Sequence, residues 1–110
     1  MIRVLMLVGV VFGWISAIAS AQVEVRVVDV GAGLCCVVKT PDDKYMIYDA
    51  GNYRDRGRTA MIAIEDIIPV GSEIELLVLS HCDADHIAAV PFICENYRVC
   101  LLYTSDAADE

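Results

Sequence analysis

The chain has two histidines, and both fall in the segment Ser80-His81-Cys82-Asp83-Ala84-Asp85-His86, together with two aspartates. Imidazole nitrogens and carboxylate oxygens gathered in one short loop make a donor set suited to zinc, manganese or iron(II). Four such groups are more than one ion with an open position takes from a single loop. They suit two neighbouring ions that share a hydroxide. In an extended loop His81, Asp83 and Asp85 alternate onto one side, and His86 follows at the head of a helix. The competing interpretation is an aspartate-rich turn with Asp85 as a helix N-cap and the histidines exposed. Context favours the metal reading. Residues 74–79 are nearly all apolar and read as a strand buried on both faces. The loop leaves the end of that strand, where open α/β sheets place their sites.

The elements that must position this loop follow from periodicity. Residues 23–27 alternate apolar and polar, which predicts a half-buried strand continuing to Val30, where Gly31-Ala32-Gly33 turns the chain. Residues 34–39 predict a second strand and 45–48 a third, joined by the turn chemistry of Pro41-Asp42-Asp43-Lys44 and ended by Asp49-Ala50-Gly51. A polar loop carrying Arg54, Arg56 and Arg58 leads to residues 59–68. There Met61, Ile62, Ile64, Ile67 and Ile68 predict a short helix with a wide buried face. Pro69 and Gly71 end it. Residues 87–95 predict a helix with Pro91 near its first turn, and residues 97–102 a further strand. A sheet that needs covering implies a layered α/β architecture.

The chain has 110 residues, a formal charge of −8 and five cysteines, which bounds it to one domain. Residues 1–21 read as a secretory signal peptide: Arg3, an apolar run over 4–18, then Ala19-Ser20-Ala21 as a cleavage pattern. Cleavage would leave a secreted or periplasmic product starting at Gln22 and one unit more acidic. Such a surface argues against broad electrostatic capture of nucleic acid, although it leaves room for a local basic cleft. Export implies an oxidising compartment, which makes Cys35, Cys36, Cys82, Cys94 and Cys100 disulfide candidates. Small buried apolar roles compete with that reading. Cys35 and Cys36 are adjacent in a predicted strand, so their side chains face opposite sides and do not readily pair.

His-x-Asp-x-Asp-His after a buried strand resembles the metal motif of the metallo-β-lactamase superfamily, whose usual form is His-x-His-x-Asp-His. Aspartate at the third position resembles the subgroup related to the extracellular domain of the DNA-uptake competence protein ComEC. Two further blocks resemble that subgroup: Asp29-Val30-Gly31-Ala32-Gly33 its Asp-Val-Gly-Gln-Gly opening, and Asp49-Ala50-Gly51 its Asp-Ala-Gly turn. The resemblance covers about residues 25–90. It implies the N-terminal half of a metallo-β-lactamase-type αββα sandwich, incomplete at this length, spanning residues 22–99. It implies that His81 and Asp83 bind a first zinc and Asp85 and His86 a second, with manganese or iron as alternatives. Asp85 would also be catalytic, orienting or deprotonating the hydroxide. Asp49 would fix a ligand by hydrogen bonding, and Asp29 is read as a structural turn. Three departures stand out: Ala88-Ala89 where the family has Gly-Gly, Ala32 for glutamine, and Leu34 for aspartate. Cys82, between ligands, is expected to point away from the metals.

The family's downstream histidines and bridging aspartate have no counterpart, since no histidine follows His86. A sheet of this size is expected to be half covered. Residues 100–110 resemble a translated adapter sequence and are expected to be a non-native tail. The implied function is metal-dependent hydrolysis of a small-molecule or phosphodiester substrate, or of another ester, by a metal-bound hydroxide. Arg54, Arg56 and Arg58 could meet phosphate, against the alternative of a solvated loop. Two competing functions are a non-catalytic secreted metal-binding module and a disulfide-stapled structural domain.

Overall fold

The computed structural model describes residues 21–105. The predicted leader, apart from Ala21, lies outside these residues, as does the end of the predicted tail. Three strands come first: β1 (Glu24–Val27), β2 (Cys35–Lys39) and β3 (Tyr45–Ala50). Helix α1 (Arg58–Ile67) follows, then β4 (Glu73–Ile74) and β5 (Leu76–Leu79). Two short helices, α2 (Ala84–Ile87) and α3 (Val90–Asn96), lead to β6 (Arg98–Val99) and β7 (Leu102–Thr104). The main sheet has five strands in the order β1-β2-β3-β5-β7, and β4 and β6 form a second, two-stranded sheet. The first three strands pair antiparallel, whereas β3–β5 and β5–β7 are parallel. A parallel pair needs a crossover, and α1 supplies it between β3 and β5. The chain is therefore mixed α/β. Strand β7 falls within the segment read as a tail, and Leu102 lies opposite Leu77.

One face of the main sheet is buried. Cys35, Val37, Tyr45, Ile47, Leu77 and Leu79 point into a core with Ala60, Met61, Ile64 and Ile68 from α1 and its end, and with Ile93 of α3. Tyr97 closes the far side, its hydroxyl donating to the carbonyl of Ile68 at 2.9 Å. The period of two along β2 and β3 fits this burial. The opposite face carries Val25, Val27 and Tyr48, which are exposed by 60%, 68% and 43%. The register sets Val25 beside Val38 and Val38 beside Met46, so this is one continuous apolar surface.

Several expectations change. The single strand predicted at residues 97–102 appears as β6 and β7, which belong to different sheets, and the helix predicted at 87–95 is broken at Ala88-Ala89 between α2 and α3. The strand predicted at residues 23–30 ends at Val27, and every residue of β1 is exposed rather than half-buried, because β1 is an edge strand whose apolar side lies on the open face. The strand predicted at 74–79 is split at Glu75, and β5 alternates half-buried with buried residues instead of being buried on both faces. The split lets Ile74 pair with β6 while Leu76 begins pairing with β3. In α1, Ile62 is 60% exposed, because at 100° from Met61 it leaves the stripe that faces the sheet. The cysteines are all free thiols; Cys35 is buried and Cys36 half-buried on opposite faces of β2. Among the described residues no helix is long and apolar enough to cross a membrane.

Candidate metal centre

The site forms where the parallel strands β3 and β5 end side by side. Tyr48 lies opposite Val78, so the next residues of each strand, Asp49 on one and Leu79-Ser80 on the other, are neighbours. The alternation of β3 already points Asp49 inward after Tyr45 and Ile47. A bulge then intervenes, with Cys35 opposite Ala50 and Cys36 opposite Tyr48, so that Asp49 has no partner on β2. Its φ of 56° lies in the left-handed region, which aspartate tolerates better than most residues. Bulges beside sites re-aim a side chain. Here the bulge leaves a carboxylate with no exposure at all beneath the loop.

That carboxylate accepts three hydrogen bonds. Its Oδ1 takes the backbone N–H of Ser80 at 2.7 Å, and its Oδ2 takes the Ser80 hydroxyl at 2.6 Å. The same Oδ2 lies 2.8 Å from Nδ1 of His86. An ionised carboxylate can only accept, so His86 carries a hydrogen on Nδ1, and in the neutral form of the ring its Nε2 is a bare lone pair. Nε2 of His86 lies 3.4 Å from a carboxylate oxygen of Asp85. The rings of His81 and His86 are 3.9 Å apart between centroids. His81, Asp85 and His86 each offer one donor atom within 4.8 Å of the other two, and all three are half-buried.

The predicted donors therefore divide. His81, Asp85 and His86 converge. Asp83 stays outside that triplet: it is exposed, and its carboxylate comes within 3.5 Å of His81 Nε2. The alternation expected of an extended loop fails because the loop turns helical at Ala84. Asp83 then takes the N-cap position with its carbonyl accepting from the His86 N–H at 2.9 Å, and Asp85 sits inside the first turn. Cys82 is exposed. Asp29 makes a local turn, accepting the Gly31 N–H at 3.1 Å.

The two glycine-bearing blocks act on this loop from below. A Cβ on Gly51 would stand 1.5 Å from the carbonyl oxygen of Asp85, and one on Gly33 would stand 2.1 Å from the same atom. Both turns thus make room at Asp85 for the backbone of α2, the helix that carries two of the donors. The Ala88-Ala89 departure does not disturb the start of that helix. It forms the junction between α2 and α3, where the Ala89 N–H donates to the Ala50 carbonyl at 2.8 Å. Arg56 and Arg58 lie elsewhere, lining a hollow of about 320 Å³ with Asp55, Met61 and Phe92, and none of the three donors borders it. Ser80 is the positioning residue the sequence reading missed. Its signal was its place between the last strand residue and His81.

The sequence model of the metallo-beta-lactamase superfamily matches residues 28–110. The chain belongs to the metallo-β-lactamase superfamily. No curated protein and no solved structure matches it. Superfamily membership carries metal binding and metal-dependent hydrolase activity at the family level, and the matched residues include the whole His/Asp cluster. The donor set is chemically suited to a divalent ion: neutral imidazole and carboxylate, with a carboxylate behind one imidazole to fix its tautomer.

Proposed function

We propose that the chain carries part of the centre of a metal-dependent hydrolase, with His81, Asp85 and His86 holding a divalent ion, zinc first and manganese or iron(II) as alternatives. The observation that supports this best is the grip of the buried Asp49 on His86, which leaves Nε2 of that ring bare beside the Asp85 carboxylate. A bound ion lowers the pKa of a coordinated water and polarises the oxygen of a scissile bond. The residues of this chain do the remaining work. Asp49 orients the imidazole. Asp85 is the carboxylate placed to accept a proton from water at the site. Asp83, whose carboxylate lies 3.5 Å from His81 Nε2, is the further donor proposed for a second ion held between the two halves of the loop. The proposed substrates are phosphodiesters or other esters, on the resemblance to the ComEC-related subgroup. The proposed setting is secreted or periplasmic, on the leader-like residues 1–21.

The test is titration of the metal-free protein with zinc and cobalt(II), followed by assay on a phosphodiester and a carboxylic ester reporter. Stoichiometric binding with turnover on either, lost in Asp85→Asn, is the expected result. Binding without turnover would favour the non-catalytic metal-binding module, a reading supported by the three converging donors coming from one loop. No binding at all would overturn the metal centre.

A further inference from the structure

Ser80 stands between Asp49 and His81. Its hydroxyl oxygen lies 2.6 Å from Asp49 Oδ2 and 2.8 Å from His81 Nδ1. A hydroxyl has one hydrogen to donate and lone pairs to accept with. The carboxylate can only accept, so that hydrogen goes to Asp49. Ser80 Oγ is then left facing His81 Nδ1 as an acceptor, and Nδ1 must carry the ring hydrogen. A neutral imidazole protonated at Nδ1 has a bare Nε2. The serine has little freedom to do otherwise, because its backbone N–H is held by the other oxygen of the same carboxylate at 2.7 Å.

We propose that Ser80 is a positioning residue that passes the acceptor character of the buried Asp49 on to His81, so that one carboxylate sets the tautomer of both histidines, His86 directly and His81 through the hydroxyl. This rests on the metal-centre reading for its purpose but not for its geometry. Without the hydroxyl, His81 Nδ1 has no other hydrogen-bond partner among the described residues, and its ring hydrogen divides between the two nitrogens. Every molecule with the hydrogen on Nε2 presents a donor where an ion needs a lone pair. The cost falls on His81 alone, since His86 keeps its own bond to Asp49.

The experiment is a long-range proton–nitrogen correlation spectrum of the imidazoles in the metal-free full chain, at a pH where both rings are neutral. Nδ1–H on both rings is expected in the unmodified protein. In Ser80→Ala, His86 keeps that pattern and His81 becomes a mixture, while the affinity for cobalt(II) falls about tenfold, as outer partners of metal ligands typically require. Ser80→Thr, which keeps the hydroxyl, restores both. An Nε2–H on His81 in the unmodified protein overturns the proposal without any variant being needed. So does a His81 signal unchanged by Ser80→Ala. Failure of the unmodified protein to bind cobalt(II) would instead sink the hydrolase reading, and the tautomer result would still stand on its own.

Discussion

Among the described residues, two groups of metal-type side chains come together. At the end of β5 they are His81, Asp85 and His86; beside β4 and β6 they are Glu73, Glu75 and Cys100, whose donor atoms come as close to one another. The difference lies in what stands behind them. The first group is gripped by a fully buried carboxylate and by the serine that shares it. The second has no such support among the described residues. Cys100 is exposed, Glu73 is engaged by Arg98 at 3.4 Å, and the hydrogen bond to Glu73 pushes the Cys100 thiol above its ordinary pKa. A thiol held protonated is a poorer ligand, because the thiolate is the form that binds. Closeness is common on an acidic surface. A supporting shell that fixes which atom is offered is what separates a centre from a coincidence.

The largest effect should come from removing that shell. Asp49→Asn is expected to weaken zinc or cobalt(II) binding by roughly a hundredfold, the upper end for an outer partner, because it disturbs both histidines at once. Isothermal titration would read it, and an affinity within twofold of the parent would erase the distinction between the two groups. Next comes the floor beneath the loop. Gly51→Ala puts a methyl against the Asp85 carbonyl, so thermal unfolding should show a loss of about 1–3 kcal/mol from overpacking, together with weaker metal binding. A variant of parental stability would mean that α2 is free to shift and that the donors are not preorganised.

Smaller effects sharpen the contrast from the other side. Burial pushes the Cys35 thiol up to about 12, so in alkylation of the folded protein Cys35 should be the last cysteine to react. Cys100 should reach its full alkylation rate only at a higher pH than a free thiol does. Its raised pKa keeps the unreactive protonated form present further up the pH scale. Mass-spectrometric mapping against pH would check both. Smallest of all, Glu73→Gln combined with Cys100→Ser should leave metal stoichiometry and affinity unchanged. A lost equivalent of bound metal would make the second group a site after all.

Much of this was legible before any coordinates. The first three strands, helix α1 and the turns between them follow from local pattern, because periods of two and 3.6 and the turn preferences of glycine, proline and aspartate are properties of short stretches, whereas the three blocks were legible only through the family resemblance. The helix expected at residues 59–68 appears as Arg58–Ile67, and the hairpin turn lies where Pro41-Asp42-Asp43-Lys44 predicts it. The donor set could be named from the sequence but not sorted. Alternation assumed an extended loop, and the early turn into α2 at Ala84 brought Asp85 and His86 in and left Asp83 at the rim.

Residue types and their order by themselves determined which chemistry this chain can attempt: imidazole and carboxylate at the end of an apolar strand, with glycines placed upstream. Only the tertiary structure decided which atoms do it. Asp49 and His86 are 37 residues apart and meet because β3 and β5 run parallel and end together. The bulge that leaves Asp49 without a partner on β2 is a matter of pairing between strands. The open face of the sheet is likewise a matter of what packs where. Local sequence sets which conformations are cheap; contacts between distant segments choose among them, and a site made of such contacts is visible only when the strands have been laid side by side.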